Sequence, residues 1–140
     1  MIEVVRFEIP GDVMPKERPR LNPYTGHVYT PERTKDYEEV VQWAYRKAKG
    51  LYFPKGTAVV LEIEIYRTMP KSWTKKKRQE LEGKPMDQKP DLDNLEKAIM
   101  DGLKEAWADD CQVTDKYSKK RWAKVGRAFV TIRRWVDESV

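Results

Sequence analysis

Hydrophobic and polar residues alternate over residues 2–9 (IEVVRFEI), a period of two that predicts a β-strand closed by Pro10 and Gly11. Residues 11–31 carry Gly11, Pro15, Pro19, Pro23, Gly26 and Pro31 and read as a loop or ragged extension. With Thr34 as its cap, a helix is predicted over 35–49. Its apolar positions Tyr37, Val40, Val41, Ala44, Tyr45 and Ala48 recur at helical spacing, and Gly50 stops it. Residues 58–66 (AVVLEIEIY) form the clearest strand, with Val59, Leu61, Ile63 and Ile65 on one face and Val60, Glu62 and Glu64 on the other. A short helix is expected over 73–82 after Ser72. A second amphipathic helix is expected over 93–107, with Leu95, Ala98, Ile99, Gly102, Leu103 and Ala106 on one stripe. Residues 113–122 and 125–136 read as two closing strands joined as a hairpin around Lys124–Gly126. The order β-α-β-(α)-α-β-β predicts an α+β fold, a mixed sheet of about four strands layered by two main helices.

With 140 residues and no linker or internal repeat, the chain reads as one domain over 1–140. Five Trp, seven Tyr and three Phe argue for a packed core. No apolar run is long enough to span a bilayer, and one cysteine, Cys111, allows no internal disulfide, so a cytoplasmic setting is expected. The only histidine, His27, sits in a turn-rich stretch, which excludes zinc sites of Cys and His ligands and points any chemistry toward carboxylates and lysines. Cys111 is expected to be a small buried or half-buried side chain. Trp43, Trp107, Trp122 and Trp135 are assigned to the core or a dimer interface, and Trp73 to core packing rather than to stacking on a base.

The net charge of +5 favours an anionic partner, and its distribution is informative. Residues 67–78 carry Arg67, Lys71, Lys75, Lys76, Lys77 and Arg78 with no acid. Residues 116–127 carry Lys116, Lys119, Lys120, Arg121, Lys124 and Arg127 with no acid. Most of the acids of the second half lie between them, in 87–115. A polyanion held at its rim around a central cation fits this arrangement, although linear segregation can also vanish on folding.

The acidic centre holds KPDLDNLEK (89–97), then Asp101, then Asp109 and Asp110. Pro90 favours an extended approach, so Asp91 and Asp93, two residues apart at the mouth of a helix, can meet one ion. Lys97 lies one turn beyond Asp93 on the same face. A strand returning beside the helix N-terminus would bring Asp110 up to both. Two carboxylates about 4 Å apart repel by roughly 4 kcal/mol at an effective dielectric of 20, so three together need a cation, a raised pKa or separation; if a cation, hard oxygen ligands select Mg²⁺ or Mn²⁺. A structural reading competes: Asp93 and Glu96 match a capping-box variant, and Asp93–Lys97 an ordinary i,i+4 pair.

KPDLDNLEKAIMDGL followed by DDCQV resembles the core of the RusA family of Holliday junction resolvases, often encoded by phages and prophages. PKERPR (15–20), Tyr29-Thr30-Pro31 with Thr34, and SWTKKKR (72–78) extend the similarity to nearly the whole chain. The resemblance implies a RusA-like fold and a Mg²⁺-dependent endonuclease that resolves four-way DNA junctions as a homodimer, in a bacterial or phage setting. By position, Asp91, Asp93 and Asp110 match the family's catalytic, metal-binding acids and Lys97 its catalytic lysine. Asp101 and Asp109 are candidates for a supporting role around the metal. Lys16, Arg18, Arg20, Lys75, Lys76, Lys77, Arg78, Lys89, Lys119 and Lys120 are candidate DNA contacts. A two-fold symmetric substrate with two cuts independently argues for a two-fold dimer. The alternatives are a non-catalytic branched-DNA-binding protein and a Mg²⁺ nuclease acting on flaps, single strands or RNA.

Overall fold

The computed structural model describes residues 3–137; the expected start of the first strand at Ile2 lies outside them. Strand β1, Val4–Pro10, buries Val5, Phe7 and Ile9 on one side, as its alternation requires. The Pro- and Gly-rich stretch that follows is not wholly irregular. It holds a two-stranded ribbon, β2 (Arg20–Leu21) with β3 (Val28–Tyr29). Its turn is tied by Asn22, whose Oδ1 accepts from the amides of Tyr24 at 2.9 Å and Thr25 at 3.4 Å, while Gly26 takes a φ of +72°.

Helix α1, Glu32–Lys47, starts two residues beyond the predicted cap toward the N-terminus. Pro31 supplies the capping carbonyl, and Thr34 is instead buried, its Oγ1 accepting from the Glu17 amide at 3.3 Å. The helix ends at Lys47, and Lys49, two residues on, takes a φ of +54° that turns the chain away. Gly50 is required by packing: a Cβ there would lie 2.1 Å from the Tyr45 ring.

Strand β4, Val59–Thr68, buries Val59, Val60, Leu61, Ile63 and Ile65. Helix α2, Lys75–Leu81, is capped by Thr74 Oγ1, which accepts from the Lys77 amide at 3.2 Å. Helix α3, Leu92–Gly102, starts from Asp91 and stops well short of Trp107. Its apolar stripe is as predicted, and Leu103, Ala106 and Trp107 stay buried in turns beyond the helix. A 3₁₀ turn, Asp110–Gln112, leads into β5, Val113–Ala123, and β6, Arg127–Arg134, completes the sheet.

The sheet order is β1-β6-β4-β5, with β4 and β5 parallel and the other pairs antiparallel. The predicted β5–β6 hairpin therefore does not form, because β4 lies between the two strands. The reason is burial. The most apolar strand takes an interior position, and the lysine-rich β5 takes the edge, where charge is tolerated. Helices α1 and α3 pack side by side over the apolar face of the sheet. A satellite cluster of Met69, Met86 and Trp122 takes in Trp73, its ring edge-on to Trp122 with centroids 4.8 Å apart. Trp107 is buried as expected, whereas Trp43 and Trp135 are about half exposed and outside the core.

Candidate active site

The approach to α3 is held from the neighbouring strand. Lys120 Nζ, on β5, donates to the carbonyls of Gln88 at 2.6 Å and Pro90 at 2.7 Å. Asp91 then starts the helix with its backbone, its carbonyl accepting from Asn94 N at 3.1 Å and Leu95 N at 3.2 Å. Its side chain makes no cap bond. That carboxylate is left 61% exposed beside Lys89, 2.9 Å away. Asp93, one residue inside the helix, accepts, among the described residues, only from the adjacent Asn94 amide at 3.0 Å.

The structural reading of these acids does not hold. The helix begins before Asp93, so no Asp93–Glu96 capping box exists; Glu96 is buried and paired with Lys116 on β5 at 3.1 Å. Lys97 is exposed and, among the described residues, makes no ion pair with Asp93 or any other acid. Asp91, Asp93 and Lys97 thus share the first turns of one helix with exposed side chains, Asp91 paired only with the neighbouring Lys89 and Asp93 bonded only to the adjacent Asn94 amide among the described residues.

Asp91 also borders a cleft that contains Asn94, Lys89, Asp12, Arg33 and Arg67. The sequence counted Arg67 only as part of a basic run and passed over Arg33. No local pattern announces either, because the cleft is made by α1 and β4 meeting the loop before α3.

Asp110 stands elsewhere. Its Oδ1 accepts from Trp107 Nε1 at 2.8 Å. Helix α3 runs antiparallel to β5, with Lys120 at its N-terminal end and Lys116 at Glu96, so Asp110, ahead of β5, lies at the opposite end. Eleven helical residues separate the two ends by about 16 Å. Within one chain the returning strand does not bring Asp110 to Asp91 and Asp93, and among the described residues no three acidic, Cys or His side chains converge on a metal position.

The Asp109–Gln112 segment is a structural lock. Asp109 accepts from the Cys111 amide at 2.9 Å, and that bond holds its carboxyl below the ordinary range. Gln112 is buried; its Oε1 accepts from the amides of Ala108 and Asp109, and its Nε2 donates to the carbonyls of Phe53, Pro54 and Thr57. Asp109 therefore acts as a cap. Cys111 is exposed rather than buried, and its hydrogen bond with Asp109 pushes the thiol up, away from nucleophilic chemistry. Asp101 pairs with Lys16 at 3.1 Å.

The basic candidates divide. Lys16 is an internal bolt between α1 and α3, 2.7 Å from Glu38 as well as bound to Asp101. Burial pulls its ammonium down, and the hydrogen bonds to Glu38 and Asp101 outweigh it, leaving the value raised. Arg78 donates to the Pro70 carbonyl at 3.0 Å, Arg20 pairs with Glu17 at 3.2 Å, and Lys120 holds the loop before Asp91. Arg18, Lys75 and Lys76 are exposed, with no partner among the described residues, and Lys119 likewise makes no ion pair. Lys77 lies 4.3 Å above the Trp73 ring. His27 is exposed on the β2–β3 turn.

Residues 10–133 match the family described as endodeoxyribonuclease RusA. The chain is also 29% identical over 140 residues to a Bacillus subtilis (strain 168) protein named "Uncharacterized protein YqaN", covering 94% of this chain and 97% of that one. No helix among the described residues is long and apolar enough to cross a membrane. The family match spans most of the chain, including the acids and the lysine of α3, and on that ground the chain belongs to the RusA family of endodeoxyribonucleases.

Proposed function

We propose that the chain is a Mg²⁺-dependent nuclease that resolves four-way DNA junctions as a homodimer. The observation that carries this reading is the pair Asp91 and Asp93, both exposed at the start of α3, the Asp91 side chain making no cap bond and Asp93 forming no capping box with Glu96. Asp91 and Asp93 would hold the ion from one chain, and Asp110 would reach it from the second copy, since within a chain the acids lie at opposite ends of α3. Bound there, Mg²⁺ would activate water and offset charge developing on the phosphate. Lys97, exposed one turn from Asp93, contacts the scissile phosphate in this reading. Arg33 and Arg67 in the cleft, with Arg18, Lys75 and Lys76, engage the DNA backbone, which gives a steep fall of affinity with salt.

The test is cleavage of a synthetic four-way junction with and without Mg²⁺, comparing wild type with Asp93→Asn. The expected result is paired, symmetric nicks that require metal, and a variant that binds the junction while cutting at least about 100-fold more slowly. Wild type that binds but never cuts in Mg²⁺ or Mn²⁺ overturns the reading. Preferential cutting of flaps, single strands or RNA in competition overturns the junction assignment.

A further inference from the structure

Strand β5 is an edge whose outer side is covered only at its end. The Met86 amide donates to Lys120 O at 3.2 Å, Trp122 N to Lys84 O at 3.0 Å, and Gly83 N to Trp122 O at 2.8 Å. Successive backbone groups on a strand point to opposite sides, so these bonds fix the outward set as the even-numbered residues. Lys116 and Ser118 therefore direct N–H and C=O away from β4, and no backbone group among the described residues meets them. Residues 114–117 are exposed, Tyr117 by 64%. Ser118 Oγ is buried without a hydrogen-bond partner. Among the described residues Lys119 has no ion pair, and Asp115 accepts only from its neighbour Thr114 Oγ1 at 2.7 Å.

We propose that residues 115–119 of β5 pair antiparallel with the same residues of a second copy of this chain, about a two-fold axis at Tyr117. In that register Lys116 and the partner's Ser118 exchange both main-chain bonds. Asp115 faces the partner's Lys119 at a non-hydrogen-bonded position, where opposed side chains are closest. Symmetry repeats each pair, so the segment is its own complement. Other symmetric registers fail. Centring on Lys116 or Asp115 opposes like charges, and centring on Ser118 calls on Lys120, whose carbonyl is already taken by Met86. The interface rests on the dimeric reading above and deepens it. The partner's β5 would start near the Lys120 end of this one, carrying the partner's Asp110 toward Asp91.

The test measures dimer dissociation by sedimentation for wild type, Asp115→Lys, Lys119→Asp and the double exchange, together with amide hydrogen exchange at Lys116 and Ser118. Each single reversal should weaken the dimer about tenfold or more and the double exchange should restore it. Both amides should be protected in the dimer and exchange fast on dilution. A wild-type dimer whose dissociation is unmoved by the reversals, or whose Lys116 and Ser118 amides exchange fast, overturns this interface and leaves the dimeric nuclease standing. A double exchange that stays weak overturns the reciprocal pair. A chain that is monomeric yet makes paired nicks overturns the interface and the dimer together.

Discussion

A lysine in a basic run looks the same in sequence whether it meets a phosphate or a carbonyl. Lys16 and Lys120 were legible as cations, but the acceptors that claim them, Glu38 with Asp101 and the carbonyls of Gln88 and Pro90, come from segments far away in sequence. Asp91, Asp93 and Lys97 were legible because their relation is local, set by an extended approach and one turn of helix. Lys120 is a positioning residue for Asp91. Lys120→Met should remove two charge-assisted hydrogen bonds, each worth about 1.5–3 kcal/mol, and raise the Mg²⁺ concentration needed for half-maximal cleavage. Lys120→Arg should recover part of both. A metal titration with a thermal melt separates this from simple loss of a DNA contact, which would leave metal dependence and melting unchanged. For Asp109 the sign follows from its lowered carboxyl. Its contribution to stability is fully present above the ordinary value of 3.8 and is lost as pH falls through the depressed one. Asp109→Asn should flatten that acid limb when melting temperature is followed against pH.

At the level of elements, the helical stripes of α1 and α3 were readable, including the small residue that lets them meet. Gly102 lies at the end of α3, and a Cβ there would stand 2.6 Å from Val41 Cβ. Helix propensity favours Ala by about 1 kcal/mol, while forcing the helices apart costs roughly 1–3 kcal/mol, so the contact wins. Gly102→Ala should lower unfolding free energy in a denaturant titration, and adding Val41→Ala should return part of the loss. The early stop of α3 and the absence of a β5–β6 hairpin were not readable. Phe53 N donates to Ala106 O at 2.7 Å, and that cross-chain demand shapes the turns after Gly102. The place of β4 between β5 and β6 is a choice made by burial over the whole sheet, which no short window contains.

For the whole molecule, the separation of Asp110 from Asp91 and Asp93 makes a prediction that one chain alone cannot satisfy. Asp93→Asn and Asp110→Asn chains, each inactive by itself, should regain cutting when refolded together. A mixed dimer then has one site with both substitutions and one with neither, so junctions should be nicked on one strand. Sites complete within each chain would give no recovery, read directly on a gel with both strands labelled.

The sheet order also governs when the molecule can exist. Strand β1 at Val4–Pro10 has one neighbour, β6 at Arg127–Arg134, so the first strand waits for the last before any backbone partner is available. Pairing at such long range is slow, and until it happens Val5, Phe7 and Ile9 stay open to wrong associations. On the ribosome, the chain must emerge through Arg134 before the sheet can close. A product terminated ahead of Arg127 would lose the strand that joins β1 to β4, leaving two detached pieces and, with them, no platform to hold α3.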